Sequence, residues 1–219
     1  MYKKLLITIT CLSMVGCASV ESHIPMTPEV ANTVKGREVA TAKREKPNFF
    51  AFTSGKGAFG PLGALAAFPA GNEIVVKNNV EDPAVYIGEK LSTELSTKYG
   101  TKVSSKSVTV TNDDVQAISK NNAGVDLLLD VSTTGWGFAY FANFTGKYRV
   151  TYSARLRLID TKSGKILAED RCSRGNQDQT PTSPSYDELL ANNAERLKKE
   201  LREAADFCVG EFKSKVLQF

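Results

Sequence analysis

The clearest regularity in the chain is an alternation of period two from Lys147 to Asp160. Val150, Tyr152, Ala154, Leu156 and Leu158 fall on one face, and Arg149, Thr151, Ser153, Arg155 and Arg157 on the other. This is the pattern of an antiparallel strand with one wet face. Thr161-Lys162-Ser163-Gly164 reads as a turn, and Lys165–Ser173 as the returning hairpin strand. Two stretches carry the helical period instead. Asp82 suits an N-cap, Pro83 the first helical position and Gly100 the stop, with Val85, Ile87, Leu91, Leu95 and Tyr99 on one face between them. After a polar loop, Ser183 and Pro184 open a final helix with Asp187 and Glu188 in its first turn. Its apolar stripe is Leu190, Ala194, Leu197, Leu201, Ala204, Ala205 and Cys208. Shorter strands are expected at Phe49–Phe52, Glu73–Lys77, Lys102–Val110 and Gly124–Val131, and a short helix capped by Asn112-Asp113-Asp114 runs through Ile118. Strands, a helix, a long hairpin and a packed helix predict an α+β fold, with a mostly antiparallel sheet, helices on one side and a long C-terminal helix.

Two stretches break the pattern. Residues 18–47 are polar, contain Pro25, Pro28 and Pro47, and end in Lys43-Arg44-Glu45-Lys46. With so little apolar surface to offset ordering entropy, they read as a tether, with room for a short helix near Pro28–Lys43. Ser54 to Gly71 holds five glycines among Ala, Leu and Phe. Gly55 and Gly60 have the spacing of a phosphate-binding loop, but Pro61 and Leu62 stand where Lys and Ser or Thr are required. Two readings stay open: a tightly packed short helix, Leu62 to Phe68, or an apolar flap that meets a partner or a lipid surface.

The amino terminus adds an address. Lys3 and Lys4 precede an apolar run from Leu5 to Val15, then Gly16-Cys17. That is the layout of a secretory signal peptide, too short to span a membrane. Met14-Val15-Gly16-Cys17 resembles a bacterial lipobox. The resemblance implies cleavage before Cys17, lipidation of Cys17 and, with no Asp at the second mature position, delivery to the outer membrane, facing the periplasm. The expected organisation is therefore a leader over 1–16, a lipidated tether over 17–47 and one domain over 48–219. The formal net charge of +4 includes Lys3 and Lys4; the roughly +2 left without them is a weak basis for nucleic-acid binding. Cys11 leaves with the leader, so Cys172 and Cys208 remain as an even pair in an oxidising compartment. A disulfide between them is expected; two separate thiols are the alternative.

No catalytic constellation stands out. The single histidine, His23, lies in the tether stretch, which argues against His-based triads and His-ligated metals. Asp126 and Asp130, four apart on a strand, would sit about 13 Å apart, too far for a glycoside-hydrolase pair. No enzyme, cofactor or metal is expected. The candidate binding surface is the aromatic run from Thr134 to Phe144, where Trp136, Phe138 and Tyr140 alternate with small residues, together with Arg149, Arg155 and Arg157 on the neighbouring strand. The same aromatics could instead cover the core, and acidic residues on adjacent strands could neutralise the arginines.

The order of parts resembles a group of bacterial envelope lipoproteins that includes the curli-secretion lipoprotein and the lipoprotein activators of penicillin-binding proteins. The residues that carry it are Asp82-Pro83 opening a helix, Gly124–Val131, and Tyr152–Leu167 leading into the final helix. The functional expectation is a non-catalytic, lipid-anchored periplasmic protein that binds another envelope component, a protein by preference. The alternatives are a subunit of an oligomeric assembly or export complex, and a peptidoglycan-associated protein.

Overall fold

A computed structural model describes residues 22–143, 146–175 and 178–219. The expected leader and the expected lipidation site, Cys17, lie outside the described residues, as does Phe144 at the end of the aromatic run. The frame is the predicted hairpin. Strand β5 (Tyr148–Asp160) pairs antiparallel with β4 (Leu127–Tyr140) on one side and with β6 (Lys165–Gly175) on the other. The far edge of β4 is shared by two short parallel strands laid end to end. β1 (Glu38–Lys43) pairs with Leu127–Leu129, and β2 (Phe50–Phe52) pairs with Gly137–Ala139. β3 (Lys102–Thr109) adds to β1, giving the order β3-β1-β4-β5-β6.

The placement of β1 corrects the tether reading. Residues 28–43 supply a helix, α1 (Pro28–Val34, capped by Thr27), and a strand inside the sheet, with Val39 and Ala40 fully buried. Ile24 pairs with Glu169 of β6, so the ordered unit begins well before residue 48.

The core lies on the hairpin's apolar face. α5 (Pro83–Tyr99) packs over β4 and β1, α7 (Tyr186–Glu211) packs over β5 and β6, and the two helices touch each other. The caps follow local chemistry: Asp82 accepts from the Ala84 N–H, Gly100 closes α5 at φ +66°, and Ser185 with Glu188 forms a capping box on α7, two residues later than expected. α7 is interrupted. Asn192, Asn193 and Ala194 are left-handed, so the apolar stripe is carried by two helical segments. A π-helical turn, Phe212–Leu217, closes the chain. Cys172 of β6 and Cys208 of α7 form the expected disulfide, tying the last helix to the sheet.

A smaller cluster sits on the opposite face. Ala40, Val108, Val110, Leu128 and Ile159 are covered there with Ile118 of α6 (Val115–Asn121). One helix therefore lies on the second side, and only part of that face is covered. Among the described residues no helix is long and apolar enough to cross a membrane.

Candidate functional site

The glycine-rich stretch folds as three short helices, α2 (Ser54–Gly57), α3 (Gly60–Leu65) and α4 (Ala67–Lys77). α4 absorbs Glu73–Lys77, which the Ile-Val-Val run marked as a strand; packing of Val75 and Gly71 against the core outweighs β-propensity. The glycines explain one side of the segment. A Cβ at Gly71 would lie 2.0 Å from the Phe49 carbonyl oxygen, and one at Gly63 would lie 1.8 Å from that of Lys56. Only glycine lets α4 lie on β2 and α3 on α2 this closely.

The other side faces solvent. Phe59, Leu62, Leu65 and Phe68 recur every third residue and are 72%, 73%, 69% and 41% exposed. From Thr53 to Asn72 the only charged residue is Lys56, whose ammonium donates to the Ala51 carbonyl. Aromatic contacts carry the ridge onto the sheet: Phe68 meets Phe50 at 5.2 Å, Phe50 stacks on Phe52 at 5.5 Å, and Phe52 meets Tyr140 at 5.6 Å. The expected single helix over Leu62 to Phe68 is divided between α3 and α4, which have a packed underside and an apolar, exposed upper face.

The surface expected around Trp136 is not a surface. Trp136 and Phe138 are 3% and 1% exposed, in the main core. Phe49 packs edge-on against both rings, and the indole N–H donates to the Pro47 carbonyl at 3.0 Å. Tyr140 alone of the three is partly exposed, next to the ridge. The arginines separate as well. Arg149 lies over the Phe141 ring, away from the others. Arg157 is buried and donates to Asp130 at 2.7 Å, while Arg155 reaches Asp113 at 2.6 Å.

A residue from the supposed tether completes this polar cluster. Arg44, just past β1, donates to both oxygens of Asp130, at 2.6 and 2.9 Å. Burial pushes the Asp130 carboxyl upward, but the Arg44 and Arg157 guanidiniums outweigh it and hold it below the usual carboxylate range. Asp113 follows the same balance, with Arg155 as its strongest cationic partner. Asp130 is thus the centre of a buried ion cluster in mid-strand, and Asp126 is a separate site that pairs with Lys162 at 2.7 Å. Asp82 behaves oppositely: burial raises it, against hydrogen bonds from the Thr133 hydroxyl and the Ala84 N–H. The sequence shows the arginines of β5 as a row, but it presents Arg44 only as part of a basic run and Asp113 only as part of a helix cap, because the partners of each are distant in the chain.

No protein-family profile matches this chain, and no curated protein matches it. Solved structures resemble it loosely. One is the PelC dodecamer from Paraburkholderia phytofirmans, at 10% identity over 90% of this chain and 96% of that one, with a TM-score of 0.34. Another is the lipoprotein GNA1162 from Neisseria meningitidis, at 13% identity over 80% and 99%, TM-score 0.28. A third is the LpoB C-terminal domain from Salmonella enterica, at 13% identity over 64% and 84%, TM-score 0.27. Bacterial lipoproteins are thus among the structures this chain resembles, as the order of its elements led us to expect. Nothing about ligand or partner follows from overlaps this loose.

Proposed function

We propose that this chain is a non-catalytic protein of the bacterial envelope, exported by its leader, held by lipid on Cys17 at the periplasmic face of the outer membrane, and built to bind another envelope protein through the α3–α4 ridge. One observation carries the reading. Phe59, Leu62, Leu65 and Phe68 stand exposed together on a stretch with one charge, fixed from beneath by glycine packing. Large apolar patches on a folded surface mark interaction sites.

The absence of charge on the ridge also suits contact with a second copy, since nothing on it would repel itself. Light scattering on the purified chain in detergent, beside the variant Leu62→Asp/Leu65→Asp, separates the two readings. A single-chain mass in both favours a heterologous partner. An oligomer that the variant dissolves favours self-assembly. An oligomer that persists in the variant removes the ridge as its interface.

A further inference from the structure

Beyond α6, the second face of the sheet opens into a basin of about 700 Å³, within the usual range for ligand sites. Ser132 and Thr134 of β4, Arg155 of β5 and Arg171 of β6 form its floor, and Lys43 and Arg44 stand on its rim. Three carboxylates, Glu45, Asp82 and Asp113, also line it, but among the described residues only Asp113 forms an ion pair with either Arg155 or Arg171. Arg155 and Arg171 are direct partners across the β5–β6 ladder, where like charges repel unless something lies between them. Arg155 has one ion-pair partner, Asp113, and among the described residues the Arg171 side chain has neither a hydrogen bond nor an ion pair. Asp113 is also approached by Arg44 at 3.1 Å and Arg157 at 3.5 Å, so its charge is already shared among three guanidiniums. Beneath them, Ser132 is 8% exposed and its Oγ has no hydrogen-bond partner; the Nε–H of Arg155, its neighbour across the ladder, has none either. Buried polar atoms are nearly always paired, so two orphans beside two facing arginines, of which only Arg155 has a counter-charge, point to a missing acceptor.

We propose that the basin binds an oxyanion, carboxylate or phosphate, seated between Arg155 and Arg171 and within reach of the Ser132 hydroxyl. The guanidinium fork matches the planar carboxylate and the phosphate edge, and a pair of forks holds either one better than a pair of ammonium groups would. The site lies on different elements from the apolar ridge and stands or falls independently of it.

The test is calorimetric titration of the full chain in detergent with inorganic phosphate and, separately, with glucuronate as the carboxylate probe. Three variants accompany it: Arg171→Gln, Ser132→Ala and Lys102→Gln. Arg171 lies exposed on the outermost strand, so its variant folds, and Lys102 is an exposed cation on β3 that controls for general loss of positive charge. The expected result is saturable binding of at least one probe, weakened about tenfold or more by Arg171→Gln and unchanged by Lys102→Gln, as for the loss of one charged hydrogen bond. Ser132→Ala should weaken the same probe by a smaller factor. The tighter probe identifies the class of ligand. Binding of neither probe, or equal binding by wild type and Arg171→Gln, overturns the proposal.

Discussion

Arg157 and Asp130 meet side by side on β5 and β4, Nη2 to Oδ2 at 2.7 Å, with the carboxylate fully buried and Arg44 closing on its other oxygen at 2.6 Å. The pair neutralises what would otherwise be an uncompensated cation on the sheet face. Removing one partner of a buried pair leaves the other without solvent or counter-charge. Asp130→Ala should therefore lower unfolding free energy by about 3–5 kcal/mol in urea titration. Its low folded-state pKa gives the pH direction. The contribution is present above the unfolded carboxyl value of about 3.9 and is lost as pH falls through the folded value. An Asp130→Ala protein as stable as wild type at neutral pH would show that the cluster contributes nothing to folding.

Asp82 predicts the opposite slope. Its carboxyl is raised by burial, so the folded chain keeps that proton to higher pH than the unfolded chain does. The charged form costs stability once pH rises from the ordinary carboxyl range through the folded value. Asn at this position keeps an acceptor for the Ala84 N–H and the Thr133 hydroxyl, and is an equally good N-cap. Above the folded pKa, Asp82→Asn should match or exceed wild type in thermal melts, whereas Asp82→Ala should lose about 1 kcal/mol or more. Equal losses in both variants would mean that the negative charge itself is stabilising.

Cys172 and Cys208 are separated by 36 residues. The chain-entropy argument gives about 3–4 kcal/mol for a loop of that length. Urea unfolding with and without reductant, and the Cys172→Ser/Cys208→Ser variant, should both show a loss of that order. A reduced protein with an unchanged midpoint would mean that packing of α7 alone holds the helix to β6.

The two sides of the glycine-rich segment should respond differently to substitution. Gly71→Ala drives a methyl into the Phe49 carbonyl and should cost about 1–3 kcal/mol by overpacking. Leu62→Asp, on the exposed side, should change stability by less than about 0.5 kcal/mol. Comparable losses in both would place Leu62 in a packed position.

What could be read from the chain alone depended on how local the cause was. The caps of α5, the β5–β6 hairpin and the Cys172–Cys208 pair rest on neighbouring residues or simple counting, and the fold class followed from them. β1 escaped because Glu38–Lys43 is a central strand with both faces partly covered; its pattern does not alternate, and its apolar residues are small. Without β1, nothing places Arg44 of the basic run beside Asp130. At Trp136 and Phe138 the alternation gave the period correctly, but period alone does not say which face is covered. Phe49, nearly ninety residues earlier in the chain, decides that. The ridge was legible as composition, yet only the close approaches at Gly63 and Gly71 separate its packed side from its free side.

The proposed meeting point of this chain and its partner is the α3–α4 ridge. Its most direct test is the native size of the full chain in gently solubilised envelopes, wild type against Leu62→Asp/Leu65→Asp, with circular dichroism and melting temperature confirming the same fold in both. Wild type should run in a species larger than one chain, and the variant should run as a single chain. A variant that stays in the same large species, or a wild type that runs alone, would contradict that proposal.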